Sequence, residues 1–402
     1  MDFQSIVVKI FFIYNMADPF KTLTDRETSF VHEKNRDDVK KIAIVYLLYY
    51  HNESYIDNVV SSLKKLTYPK DKIEFIVVSN EHPEDGSFVH YINDTVMPLS
   101  GKEIPHVTLL PQQENTGFAR GNNIGADWAV EHGFDYIFFH NNDGFFASNA
   151  LEPLVEALEH DERIGMAQSL MLLHPDTEYV NSAGNIFQYL GFGYCDEYRT
   201  KADDLKLPAI KEIAYASGAC LMIRAELYKK YGGWDNDFFM YHEDLEWAFR
   251  LRSVGYKVVL VRDSLFYHQY QFSRSISKFF FMERNRHAVM LMFFRWPTLI
   301  LLAPMGIILE IGLWLFSIKN GYVDKRWDVY KYWLNKKNFM LWYKKRQRVQ
   351  KNRVVSDRFL LKFTMPGIYF QEQKMDNPLL TYIGNPVMKV YYWVVVKGLI
   401  WW

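Results

Sequence analysis

Between Lys41 and about Tyr267 the chain alternates short apolar runs with longer stretches whose apolar residues recur every three or four positions. This alternation of strand and amphipathic helix is the pattern of an open α/β sheet, in which helices cover strands that are buried on both faces. Ile42 to Tyr49 (IAIVYLLY) reads as a fully buried strand, and Ile56, Val59, Val60, Leu63 and Leu66 share one face of a helix over Tyr55 to Leu66. Ile73 to Val78 forms the second strand, ending at Ser79-Asn80, and Asp85-Gly86-Ser87 suits a turn that caps the next helix. A strand over His106 to Leu110, a helix over Asn122 to His132 and a strand over Asp135 to Phe139 continue the series, without internal repeats. Sheets of this kind bind ligands beyond the carboxyl ends of their strands, so the loops after Tyr49, Val78 and Phe139 are the expected walls of one crevice.

The 402 residues are 49% apolar and 23% charged, which excludes a mainly disordered chain and fits a large domain with an appendage. Cys195 and Cys220 are too few for a disulfide framework and wrongly spaced for a zinc ribbon, which points to a reducing compartment. From Lys278 the composition turns apolar, aromatic and basic, so a boundary is expected near Gln271 to Lys278. That divides the chain into an N-terminal extension (1–40), an α/β domain (41–275) and a helical region (276–402). Lys and Arg balance Asp and Glu at 47 each, yet Ser317 to Arg353 holds 12 basic residues against 2 acidic ones. The aromatics within it (Trp327, Tyr330, Tyr332, Trp333, Trp342 and Tyr343) suit an anionic membrane interface better than nucleic acid, although a solvated helix face reads the same way. Just before it, Leu299 to Phe316 is an apolar run broken by Pro304, Gly306, Glu310 and Gly312. A charge at mid-depth costs ~2.5–3.5 kcal/mol on insertion, so an interfacial helix or a re-entrant hairpin is expected in place of a span. Ile6 to Tyr14 has neither the basic start nor the cleavage site of a secretory signal. The expected location is cytoplasmic, peripheral on the inner face of the cell membrane.

Four groups of residues can carry chemistry. His140-Asn141-Asn142-Asp143 follows a strong strand; a carboxylate flanked by amides can hold a hard divalent cation through oxygen, and it equally suits a turn. Glu114 to Gly125 (ENTGFARGNNIG) sets Gly117, Gly121, Gly125 and Arg120 at a helix start, able to receive a phosphate-bearing ligand or simply to cap the helix. Its glycines lack the spacing of a dinucleotide fingerprint. Asp235, Glu243, Asp244 and Glu246 crowd among Phe238, Phe239, Tyr241 and Trp247. Such surroundings raise a carboxylate's pKa and make a general base, whereas acids opposing a helix dipole are the alternative, preferred for Glu246. His268 follows a strand expected over Lys257 to Val261, and a histidine there becomes a ligand only in company.

In order, NTGFARGNNIG, a strand ending NND, ASGACLMIR, GGWDNDFFMYHEDLEWAFRLRSVGYKV and LFYH resemble family 2 glycosyltransferases over about Lys41 to Arg286. The likeness is strongest to the rhamnosyltransferase-like and galactofuranosyltransferase-like branch. It implies a GT-A fold, a Rossmann-like mixed sheet, that binds a nucleotide-diphosphate sugar with Mg2+ or Mn2+ and transfers the sugar with inversion. It sets Asn141, Asp143 and His268 at the metal, and Asp244, with Glu243 beside it, at the base. Asn52, Ser79, Asn80, Asn115, Gly117, Phe118, Arg120, Gly121, Asn122, Asn142 and Gly218 fall at donor positions, and Trp234, Asp235 and Tyr241 at acceptor positions. The implied acceptor is a lipid-linked or cell-surface glycan. Two departures stand out: Ser79 occupies the place of the family's aspartate after the second strand, and Asn141 replaces the first metal-side carboxylate. Processive synthases carry Q-x-x-R-W, whereas Met292 stands here where the glutamine before Arg295-Trp296 belongs. A sugar-phosphate nucleotidyltransferase would show a Gly-rich basic signature after the first strand, where this chain has Tyr49-Tyr50-His51-Asn52-Glu53. A glycan- or membrane-binding scaffold would not turn over a donor.

Overall fold

The computed structural model describes residues 38–49, 53–82, 86–269, 278–369 and 378–402. Asn52, Asp85, residues 1–37 of the N-terminal extension and most of the expected boundary near Gln271 lie outside the described residues. Lys40–Trp402 forms one compact unit.

Strands β1 (Ile42–Leu48), β2 (Ile73–Ser79), β3 (His106–Pro111) and β4 (Tyr136–Asn141) run parallel in the order β3-β2-β1-β4. All of β1 and β2 is buried, as their mainly apolar runs require, with Glu74 of β2 bonded to His106 and Thr108. Helices α1 (Glu53–Lys65) and α2 (Gly117–Glu131) are the elements that the 3.6-residue spacing anticipates, α2 starting a turn earlier than its apolar pattern. A Cβ on Gly125 would stand 2.5 Å from Val45 Cγ1, and one on Gly121 2.5 Å from Leu47 Cδ1. These two glycines let α2 lie close on β1, a helix-on-sheet packing role that the motif alone does not reveal.

Past β4 the sheet becomes mixed. The further elements are β5 (Gly144–Phe146), α3 (Leu151–His160), β6 (Ile164–Leu173), β7 (Val180–Ser182), β8 (Asn185–Gln188), β9 (Gly193–Cys195), β10 (Ile210–Glu212), β11 (Cys220–Arg224), α4 (Ala225–Tyr231), α5 (Glu243–Ser253) and β12 (Lys257–His268). β11 is antiparallel to both β4 and β6, while β12 is parallel to β6, in a ten-stranded sheet whose main path is β10-β12-β6-β11-β4-β1-β2-β3, with β5 paired to β12 and β7 to β6 beside it. β12 continues past the expected end at Val261, and its last residues pair with β5, His268 opposite Gly144. That pairing carries His268 to the β4–β5 turn.

Helices α6 (Phe279–Phe293), α7 (Trp296–Asn320), α8 (Val323–Leu334), α9 (Lys336–Asn352) and α10 (Asn385–Tyr391) build the C-terminal region, with helical turns on both sides of α10. α7 runs unbroken through Pro304 for 25 residues, about 37 Å, so the re-entrant hairpin does not form. Among the described residues it is the helix long and apolar enough to cross a membrane. Leu302, Met305 and Ser317 face the protein, whereas Ile300, Ile307, Ile308, Ile311, Leu315 and Ile318 form an exposed stripe. Glu310 lies on the protein side, 2.6 Å from Arg286 Nη2, paired with Arg326 and accepting from Tyr330 Oη at 2.7 Å. Arg286 also grips Glu283 through two nitrogens at 3.1 and 2.9 Å. The charge that interrupts the apolar run is therefore neutralised inside the molecule.

Candidate active site

Strand ends assemble the first part of the site. β4 supplies Asn141, the turn after it Asp143, and β12 His268. His268 Nε2 lies 2.9 Å from Asp143 Oδ1, and His268 Nδ1 lies 2.8 Å from Asn181 Oδ1 in β7. If the Asn181 oxygen accepts the Nδ1 proton, the Nε2 lone pair faces a carboxylate oxygen, an arrangement that requires a shared proton or a cation. A separation near ~3 Å is that of neighbouring ligands on an octahedral cation with bonds of ~2.1 Å, so the pair fits Mg2+ or Mn2+. Asn141 Nδ2 donates to the same Asp143 oxygen at 2.6 Å, which fixes the carboxylate. Among the described residues no three His, Cys, Asp or Glu side chains gather as a metal cluster; a cation here would take oxygens from its ligand as well. His140 is a core group: buried against Tyr46, Phe146 and Phe266, with its pKa lowered to about 3 by burial.

The donor-side residues fall into two sets. Asn80, buried at the end of β2, accepts from Thr116 Oγ1 at 2.8 Å, and Asn115 Oδ1 accepts from the Gly117 amide at 2.9 Å, so both amides brace the turn into α2. Gly117 has φ +76°, a conformation that glycine adopts freely. Arg120 is exposed on the first turn and only loosely paired with Glu114, at 3.5 Å. Tyr46 Oη donates to the Asn142 carbonyl at 3.2 Å. By contrast, Asn122 turns inward to the Phe118 carbonyl, and Ser79 is fully buried, its hydroxyl without a hydrogen-bond partner among the described residues. Phe118 meets Trp234 edge to face at 5.4 Å, and a Cβ on Gly218 would press on both rings at 3.1–3.2 Å. Asn123, which the sequence reading passed over, donates to the Trp234 carbonyl at 2.8 Å and accepts from its amide at 2.9 Å. The only sequence signal for it is its place in the Asn pair of GNN.

The base side is a loop leading into α5. Phe239, Tyr241 and His242 each have φ +64°, a left-handed course that costs ~1–2 kcal/mol per residue. The Phe239 ring covers Gly117, where a Cβ would come within 2.8 Å of it, so base loop and donor loop touch. Asp244 accepts from the Leu245 amide at 2.8 Å and from the Gly218 amide at 3.4 Å, and burial raises its pKa to about 6. Glu243 is pushed up as well, by burial first and then by the charge of Asp244. Glu246 lies in the first turn of α5, where the helix-dipole reading puts it, and also pairs with Arg250 at 2.9 Å. Asp235 is bound to Lys345 of α9 at 2.5 Å and caps the Asp237 amide, and Trp234 is almost fully buried. Tyr241, the third acceptor candidate, is half-buried. Ala219 accepts from the Asn141 amide at 2.9 Å, so the pair Gly218-Ala219 joins the base to the strand end that carries the metal candidates.

The family model described as Glycosyltransferase like family 2 matches residues 45–290. An N-acetylglucosaminyl-diphospho-decaprenol L-rhamnosyltransferase of Mycobacterium tuberculosis is 26% identical over 179 residues, 39% of this chain and 57% of that protein. A probable glycosyltransferase of Bacillus subtilis (strain 168) is 25% identical over 236 residues, 56% of this chain and 50% of that one. The chain thus spans little more than half the length of the curated relatives it matches. The crystal structure of GalNAc-T7 with UDP, GalNAc and Mn2+ superposes with a TM-score of 0.51 at 14% identity, covering 67% of this chain and 51% of that one, a likeness of fold. The matched span runs from β1 into α6 and takes in every strand end described above, and on that ground the chain belongs to the Glycosyltransferase like family 2 and has the GT-A fold.

Proposed function

We propose that the enzyme is a divalent-cation-dependent, inverting transferase that moves a sugar from a nucleotide diphosphate to a hydroxyl of a lipid-linked or cell-surface glycan. The observation that carries this reading is the Gly218-Ala219 pair, which sets Asp244 beside the strand end bearing Asn141 and Asp143. Asp143 and His268 would hold Mg2+ or Mn2+, with Asn141 fixing the carboxylate. The bound cation supplies positive charge that neutralises the leaving diphosphate. The first turn of α2 and Arg120 receive phosphate oxygens on the donor side, with Phe118 as a wall. Asp244 takes the acceptor's hydroxyl proton while the oxygen attacks the anomeric carbon opposite the bond to the diphosphate; that bond breaks, and the configuration inverts.

The catalytic part is assigned to 41–275, and 276–402 to attachment at the cytoplasmic face of an anionic membrane. The exposed stripe of α7 and the exposed Lys319, Lys325, Lys336, Lys337, Lys344 and Arg348 support that assignment. The name of the mycobacterial relative describes a lipid-linked acceptor, which supports one here. Thermal shift with UDP-N-acetylglucosamine, UDP-galactose, dTDP-rhamnose and GDP-mannose, with and without Mn2+, followed by hydrolysis and product analysis, tests the reaction. The expected result is a Mn2+-dependent shift with at least one donor and turnover of that donor. No shift and no turnover with any of them would sink the proposal. Sedimentation of the full chain with anionic vesicles tests the membrane separately; well-folded protein left in the supernatant would defeat that part alone.

A further inference from the structure

We infer that Asn285, oriented by Arg284, is a positioning residue that holds the loop Phe238 to His242 in its left-handed course and so fixes Asp244 at the crevice. The inference rests on the transferase reading above. Asn285 lies fully buried in α6, and its Nδ2 is 3.1, 2.8 and 2.7 Å from the carbonyl oxygens of Phe238, Met240 and Tyr241. Three carbonyls from four consecutive residues reach one nitrogen because Phe239 and Tyr241 turn at φ +64°, as does His242 after them. Arg284 decides which way the amide points: its Nε donates to Asn285 Oδ1 at 2.8 Å, so the nitrogen must face the loop.

Arg284 is itself fixed. Its Nη2 donates to the Asp237 and Phe238 carbonyls, both at 2.8 Å, and its guanidinium is boxed by Phe280, Phe281, Tyr332 and Trp342 at 5.2–5.8 Å. Phe281 stacks on Phe239 with ring centroids 5.1 Å apart. Residues 239–242 have no regular secondary structure of their own, and Asp244 follows them by two positions. Its place is therefore set by groups on α6, an element outside the loop and outside the crevice. A side chain that merely filled space at position 285 would not need to present a donor to three carbonyls.

Hydrogen–deuterium exchange on the full chain, without ligand, tests this with Asn285→Asp, a change of nearly equal shape that turns acceptor oxygens toward the three carbonyls. Peptides covering 239–245 are expected to exchange roughly tenfold faster, with β1, β2 and β4 unchanged. The second measurement is acceptor-free hydrolysis of the donor selected by the Mn2+ thermal-shift panel, followed from about pH 5 to 8. Its acid limb, near 6 in the parent, is expected to fall by about one unit, because an Asp244 released to water ionises more like an ordinary aspartate, even beside Glu243. Rates are divided by the folded fraction at each pH, so a merely smaller folded fraction leaves the limb in place. Exchange within about twofold of the parent, or an unmoved limb, overturns the inference. Should Asn285→Asp not fold, Arg284→Lys keeps a cation in the aromatic box but removes the Nε bond, and is expected to speed exchange of the same peptides about threefold; no change there overturns it too. If the parent turns over none of the donors, the transferase reading fails, while exchange still decides whether Asn285 holds the loop.

Discussion

Replacing Asp244 by Asn is expected to slow transfer and to stabilise the fold. Burial raises this carboxyl from its ordinary 3.8 to about 6, roughly two units, which amounts to ~3 kcal/mol against the charged form. A raised carboxyl keeps its proton in the folded protein after the unfolded chain has lost it. Between about pH 4 and 6 the folded state therefore binds more protons, so stability declines as pH rises through that window and is level above it. The Asn variant has no such decline. Its neutral oxygen is a weaker acceptor for the Leu245 and Gly218 amides, a loss of ~1 kcal/mol. The expected net gain is thus ~2 kcal/mol at pH 8 and little or none at pH 4, read by urea denaturation at both pH values. Transfer should meanwhile fall by roughly 10²–10⁴ at pH 8, the contribution of a positioned general base. In the parent, the rate should drop about tenfold per pH unit below 6, since only the ionised form accepts a proton. A variant as destabilised at pH 8 as at pH 4 would show that burial is not what holds the proton. Transfer by the variant at near the parent rate would remove Asp244 from the base role.

Excess chelator is expected to abolish transfer, and Asp143→Ala to weaken the Mn2+-dependent thermal shift more than His268→Ala, because a carboxylate brings charge as well as a ligand atom; undiminished turnover in chelator would eliminate the cation. Glu310→Ala should cost on the order of 3–5 kcal/mol in urea denaturation, since Arg286 and Arg326 then share Glu283 alone, and a loss below ~1 kcal/mol would mean that the network is idle. Changing Ile307 and Ile311, 62% and 59% exposed, to Glu should leave stability within ~0.5 kcal/mol per site and reduce sedimentation with anionic vesicles several-fold; retained sedimentation would acquit the α7 stripe of membrane contact.

The parallel strands were legible because their signal is local: a mainly apolar run bounded by turn residues gives β1, β2, β3 and β4 within a residue or two of their ends. β6, β11 and the extension of β12 to His268 were not, because antiparallel insertion into a mixed sheet is decided by partners far apart in sequence, such as His268 opposite Gly144. The glycine-rich motif was visible as a motif, but its division of labour was not. Gly117 serves a left-handed turn, and Gly121 and Gly125 serve contact with Leu47 and Val45, a distinction that depends on which helix face meets the sheet. In the same way Asp235 reads as one of a cluster of acids, whereas Lys345, 110 residues later, engages it.

The basic segment shows why charge pattern alone cannot assign a surface. Arg cannot shed its charge, so it is buried only where carbonyls or carboxylates await it. α9 meets that condition on one face: Trp342, Arg346 and Val349 are buried three or four residues apart, with Arg346 donating to the carbonyls of Leu291 and Phe294 at the end of α6. Arg326 answers Glu283 and Glu310, and Arg353 answers Asp357. Lys336, Lys337, Lys344 and Arg348 lie on the opposite side and remain in water. One segment therefore has two separable faces. Its inward arginines close the C-terminal helices on one another and on α6, the helix that carries Arg284 and Asn285, while its outward lysines are the ones proposed to meet an anionic surface. A change that weakens vesicle binding through the outer face should leave the base loop undisturbed, whereas loss of Arg326 or Arg346 loosens the support of α6 and reaches the site from behind.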